Sequence, residues 1–175
     1  MEALIIMERM GEMEKYIRNF EKQDMDFLWD MLYESMYVEE GKPALSRDIL
    51  KEPAIEKYLK DWGRDTDRAL ISVNESNQPL GAIWIRLFSK EDGGYGFIDE
   101  ETPELGIALI PEARGKGIGK KLMREMFQLA KSSGYKALSL SVNPQNVPAL
   151  NMYEMNGFIK IGADDGGSWV MKKEL

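Results

Sequence analysis

Residues 114–119 read Arg114-Gly115-Lys116-Gly117-Ile118-Gly119, between the apolar run Glu104-Leu105-Gly106-Ile107-Ala108-Leu109-Ile110-Pro111 and the helix-like stretch 117–133. The order is strand, glycine turn, helix start. The first turn of a helix has unpaired backbone N–H groups and the positive end of the macrodipole. Glycines remove side chains that would hold an anion away from those groups. Arg114, Lys116, Lys120 and Lys121 add positive charge, so the turn is expected to bind a phosphate-bearing ligand. A Walker A loop would need a second glycine where Lys120 stands. A dinucleotide fingerprint fails at the same residue and lacks its downstream acid, since the next strand begins at Lys136. The spacing Arg-x-x-Gly-x-Gly fits Arg114, Gly117 and Gly119 directly. Taken alone, such a turn is equally compatible with a solvated loop, so its flanks decide.

Outward from the turn the pattern is that of one α/β domain with a mixed sheet. Downstream, Ile118, Leu122, Met126 and Leu129 share a helix face that Gly134 closes. Ala137 to Val142 reads as a buried strand, and Pro148 opens a short helix ending near Asn156-Gly157. Phe158 to Ala163 and Ser168 to Lys172 form a last hairpin about Asp164-Asp165-Gly166-Gly167. Upstream, Arg68 to Val73 and Leu80 to Phe88 are strands, and Lys90 to Gly96 is a glycine-rich loop. Tyr16 to Phe20 reads as a first strand. Asp24 caps a helix running to about Val38, and a second helix spans Pro53 to Asp61. Residues 1–14 are expected to be a leader, frayed or outside the domain, and residues 15–175 the single domain.

Composition narrows the chemistry. The chain has 175 residues, enough for one domain with a real core. It contains no cysteine and no histidine. Disulfides, thiolate nucleophiles and a Ser-His-Asp triad are therefore excluded, and proton transfer falls to Asp, Glu, Tyr, Lys or water. The net charge of −7 disfavours nucleic acid as a partner and suits a cationic one, although most such charge serves solubility. No apolar run reaches the length of a membrane span, and Glu2 with the short run Leu4 to Met7 does not suit a signal peptide. A cytoplasmic location is expected.

The segments on both sides of the turn resemble the GNAT superfamily of N-acetyltransferases. Glu104 to Pro111 looks like the strand before its pyrophosphate loop. Asn146-Val147-Pro148-Ala149, followed by Tyr153-Glu154-Met155-Asn156-Gly157-Phe158, looks like its Asn-x-x-Ala-x-x-x-Tyr-x-x-x-Gly-Phe segment. The match covers about residues 68–173, and the N-terminal third agrees only in its strand–helix–helix order. Residues 95–104, with Met31 to Glu34, also resemble one bacterial subgroup. The resemblance implies a mixed, mostly antiparallel, twisted sheet of about six or seven strands. That sheet is splayed between its fourth and fifth strands and flanked by about four helices.

The resemblance also implies acetyl-CoA as co-substrate, no metal, and an amine acceptor that is a small molecule or a protein. A homodimer through an edge strand is a further expectation. Backbone groups of Ile107, Ala108 and Leu109 would bind the pantetheine arm. Those of Gly115, Lys116, Gly117, Ile118, Gly119 and Lys120, beside Arg114, would bind the pyrophosphate. Asn146 matches a side-chain contact to the cofactor, with Asn143 a weaker candidate. Tyr153 matches the general acid; its phenol is protonated at neutral pH and can donate to a leaving thiolate. Glu104 is the best candidate base, acting directly or through water. Asp99, Glu100 and Glu101 are alternatives for that role or for steering a cation. The N–H of Ile107 or Leu109 would face the oxyanion. Trp62, Trp84, Arg64 and Arg86 are candidates for an acceptor pocket, although tryptophans more often fill cores. The alternative to an enzyme is a non-catalytic acyl-CoA sensor of the same fold.

Overall fold

The computed structural model describes residues 17–175. The leader expected at 1–14, and Tyr16 of the first strand, lie outside the described residues. Seven strands, β1 (Ile17–Asn19), β2 (Arg68–Val73), β3 (Pro79–Arg86), β4 (Glu104–Leu109), β5 (Ala137–Val142), β6 (Ile159–Ala163) and β7 (Trp169–Glu174), make one sheet in the order β1-β2-β3-β4-β5-β7-β6. Among the described residues four helices flank it: α1 (Met25–Glu34), α2 (Pro53–Glu56), α3 (Ile118–Ser132) and α4 (Val147–Met155). The expected architecture is therefore the observed one. Among the described residues no helix is long and apolar enough to cross a membrane.

Alternation along the strands builds two apolar layers. Ile83 and Ile85 of β3 face Leu122, Met123 and Met126 of α3. Ala82 and Trp84, on the opposite side, face Leu28, Met31 and Leu32 of α1. Period two on the strand and a helical stripe on α3 bring these side chains together. Each buried Leu, Ile or Met side chain among these contributes about 1.5–3 kcal/mol.

Two helices are shorter than their sequence suggests. The α1 helix stops at Glu34 rather than near Val38. There Ser35 Oγ donates to Leu32 O at 2.6 Å, and Tyr33 Oη draws the following loop back by donating to Leu45 O. The α2 helix stops at Glu56, short of Asp61. The carbonyls of Lys57 and Lys60 accept from the Arg86 guanidinium at 2.9 and 2.7 Å.

The decisive feature is the join between β4 and β5. They run parallel and meet at one pair, Glu104 with Ser139, supported by Ser139 N–H donating to Pro103 O at 3.0 Å. Beyond that rung the strands diverge. β3 stays paired with β4 from Glu104 to Leu109, and β7 with β5 from Ala137 to Val142. The sheet thus opens into a V whose inner edges lack a strand partner.

Candidate active site

The V is flanked by two cavities. One, of about 620 Å³, holds Glu104 and reaches α1, Tyr58 and the turn at 164–168. The other, of about 900 Å³, runs past Ala108 and Leu109 to Arg114, Gly115 and Gly119. Met36, Tyr37, Ile107, Asn146, Ala149 and Tyr153 line both, so the cavities meet between β4 and α4.

Glu104 sits at the apex of the V and is only 3% exposed. Its carboxylate accepts from Gly94 N–H at 2.9 Å, from Gly96 N–H at 2.5 Å and from Tyr58 Oη at 3.4 Å. The Tyr58 oxygen accepts in turn from Tyr95 N–H at 2.7 Å. Glycine is required at 94, where an added Cβ would lie 2.3 Å from both the Glu104 carboxylate and the Tyr58 hydroxyl. Burial raises the Glu104 pKa to about 7, against the lowering effect of the two backbone donors, Tyr58 and the nearby Lys57. Burial, and secondarily the adjacent Glu104, push the Tyr58 phenol well above its ordinary value. Glu104 therefore has the protonation range of a base working at neutral pH.

The glycine turn starts α3. Gly117 is its N-cap at φ +81°, and Gly115 has φ +74°. Both are exposed with nothing facing their missing Cβ, so the approach to the helix start is open. No side chain caps this end. Gly119 is buried, and its missing Cβ would meet Met152 Sδ at 3.0 Å. Lys116 and Lys120 are exposed, while Ile118 packs half-buried against the core. Arg114 is already engaged: it donates to Leu109 O at 3.3 Å and pairs with Glu34 at 2.9 Å. It fastens the turn to α1, a tie the sequence did not suggest.

The α4 helix carries the opposite wall. Asn146 is its N-cap, and the side-chain oxygen accepts from Ala149 N–H at 3.4 Å. Asn143 makes a local turn to Gln145 N–H at 2.9 Å. Tyr153 packs edge-on to Phe158 at 5.9 Å, and burial pushes its pKa up to about 12. The phenol therefore stays protonated and able to donate across the neutral range.

Other expected residues lie elsewhere. Arg86 is fully buried and does not line the acceptor side; it makes a two-bond ion pair with Asp67 at 2.9 and 2.8 Å. Trp62 lies under that guanidinium at 5.2 Å, and Arg64 is exposed near a separate hollow. Trp84 does line the Glu104 cavity, its ring lying across Gly106 of the neighbouring strand. Asp99, Glu100 and Glu101 are exposed and contribute to neither cavity wall. Sequence reasoning missed Tyr58 and the glycine clamp. The available signal was Gly93-Gly94-Tyr95-Gly96, a backbone able to approach another group closely.

A mixed sheet split after one rung, with an uncapped glycine-started helix at the cleft, defines the GNAT-like acyl-CoA N-acyltransferase fold. The chain belongs to the acetyltransferase (GNAT) family, which it matches over residues 26–158. It is 30% identical over 135 residues to the 5-NmdU N-acetyltransferase of Pseudomonas phage PaMx11, covering 74% of this chain and 91% of that protein. It is also 30% identical over 110 residues to the mycothiol acetyltransferase of Renibacterium salmoninarum; this covers 63% of the chain but 31% of that longer protein. Among solved structures, the PaiA N-acetyltransferase of Thermoplasma acidophilum in complex with coenzyme A superposes with a TM-score of 0.68 at 24% identity. That match covers 91% of this chain and 98% of that one.

Proposed function

We propose that the chain is an acetyl-CoA-dependent N-acetyltransferase, moving an acetyl group to a primary amine by direct attack in a ternary complex. The observation that carries this is the placement of Glu104 and Tyr153 on cavities that join, one of which continues to the open glycine turn. Acetyl-CoA supplies a thioester-bound acetyl group. The start of α3 and the backbone at 115–120 hold its pyrophosphate, and the unpaired inner edge of β4 at Ile107, Ala108 and Leu109 takes the pantetheine amides. Arg114 reaches the phosphates after loosening from Glu34. Asn146 donates from its amide nitrogen, since its oxygen serves the helix.

An amine arrives as an ammonium and must lose a proton before attack. Glu104 takes that proton, directly or through water. As the C–N bond forms and the C–S bond breaks, Tyr153 gives its phenolic proton to the departing sulfur, and the proton shed by the newly bonded nitrogen restores the phenol. The N–H of Ile107 or Leu109 faces the oxygen on which charge develops. No acyl-enzyme through sulfur arises, because the chain has no cysteine. A buried carboxylate with a pKa of about 7 beside the cleft favours an enzyme over a sensor, which needs no such group. A homodimer through β6 belongs to the same proposal, since this sheet edge exposes Ile159 and Ile161.

The test combines calorimetric titration of acetyl-CoA with thiol release over an amine panel. The expected result is binding together with amine-dependent thiol release. Tyr153→Phe should lower turnover by about 10²- to 10⁴-fold and leave the acetyl-CoA Kd nearly unchanged. Binding without release for any amine would support the sensor. No binding would end both readings.

A further inference from the structure

We infer that the acceptor is a small molecule with a single cationic amine on an apolar or aromatic body and no anionic group. This rests on the transferase reading and specifies which amine the site takes. The acceptor side is the cavity that contains Glu104, since the other continues to the glycine turn. Its volume of about 620 Å³ is that of a small-molecule pocket.

The wall chemistry is one-sided. Among the described residues that line it, the charged ones are Glu104, Asp164 and Asp165, and neither lysine nor arginine is present. A carboxylate, phosphate or phosphinate entering here would shed water with no cation in the wall to meet it, since the nearby Lys57 is outside the lining and is taken up by Asp92 and the Gly93 carbonyl, and it would approach a carboxylate. Acceptors bearing such a group are therefore rejected by desolvation and repulsion together.

The three acids do not make three sockets. Glu104 is buried inside. Asp164 Oδ1 is committed to its own turn, accepting from Gly166 N–H at 2.9 Å and Ser168 N–H at 3.0 Å. Asp165 is exposed. The pair at the rim draws cations inward by its field, and Glu104 receives one of them. A second ammonium, as in a polyamine, would lie against Leu32, Met36, Leu45, Ile49, Ile55 and Trp84. Those side chains favour hydrocarbon and aromatic surface. Tyr95 lies at the mouth, 50% exposed, with its backbone N–H held by Tyr58. It offers an aromatic face to the entering molecule.

Matched acceptors test this by acetyl-CoA-dependent thiol release: phenethylamine against phenylalanine, butylamine against γ-aminobutyrate, and spermidine. The kcat/KM of phenethylamine should exceed that of phenylalanine and of spermidine by at least about 100-fold. Butylamine should likewise exceed γ-aminobutyrate. Ile49→Lys, which puts an ammonium into the wall, should shrink the phenethylamine–phenylalanine gap by about tenfold or more. The exposed variant Tyr95→Ala should raise the KM for phenethylamine about 3- to 10-fold while acetyl-CoA binding is unchanged. Equal or better use of phenylalanine, γ-aminobutyrate or spermidine overturns the inference. So does acetyl-CoA binding with turnover of peptide amines alone, or with no turnover of phenethylamine. Absence of acetyl-CoA binding by calorimetry is a different failure: it removes the transferase reading itself, and this inference with it.

Discussion

Glu104 is held by donors that favour its charged form and by burial that opposes it, and burial wins. The signs have opposite consequences for stability and for rate. Its pKa rises from 4.5 to about 7 on folding, so between those values the folded chain keeps a proton that the unfolded chain releases. The associated stability is fully present below pH 4.5 and is lost as pH rises through about 7, at most about 3 kcal/mol. In the proposed reaction activity runs the other way, because Glu104 as base must be deprotonated. The kcat/KM should climb with an apparent pKa of about 7. In Glu104→Gln, urea melts across pH should lose that falling component, and the rate should drop with its climbing limb abolished. A pH–rate profile unchanged by the substitution would remove Glu104 from the chemistry. From sequence, this acid was visible only through the resemblance, which places an acid on the strand before the glycine turn. Its clamp was not visible, because Tyr58 and Gly94 lie 46 and 10 positions away and only folding brings them together.

At the level of elements, local signals were legible and remote ones were not. The start of α3 could be read because Gly115 and Gly117 sit in the chain where the positive φ is needed. A Cβ-branched residue at Gly117 would be strained and would stand over the open helix start. Gly117→Val should weaken acetyl-CoA by about 100-fold or more in titration calorimetry, with far-UV circular dichroism near that of the wild type. The length of α2 could not be read, because Arg86 on a distant strand takes the carbonyls of Lys57 and Lys60. The same arginine, with Asp67 holding Gly63 and Arg64 N–H, fastens the segment that presents Tyr58. Removing one partner of a buried pair strands the other. Arg86→Leu should cost about 3–5 kcal/mol in urea unfolding. Trp84 shows the reverse lesson: a residue that suits a core also forms a cavity wall.

At the scale of the molecule, the seven strands and four helices among the described residues, and the break after the fourth strand, follow the architecture that the resemblance implied. Periodicity alone could not reveal the break, because Ala137 to Val142 carries the alternation of an ordinary inner strand; pairing partners are set by tertiary packing. In the proposed function the break makes acetyl-CoA part of the fold's energetics. Acetyl-CoA at 100 times its Kd should add about 2.7 kcal/mol. For a chain of this size that raises Tm by roughly 5–10 °C, measurable by differential scanning fluorimetry. Amide exchange should slow along residues 105–109 and 115–120 in the same titration.

A lone rung joining β4 to β5 also has a mechanical consequence. It acts as a rivet between two blades, one of four strands and one of three. Tension applied between Ile17 and the β6–β7 hairpin in an optical trap should spring the rivet before either blade tears. With donor bridging the gap the same pull should meet a stiffer plate, and the rupture force should climb with occupancy.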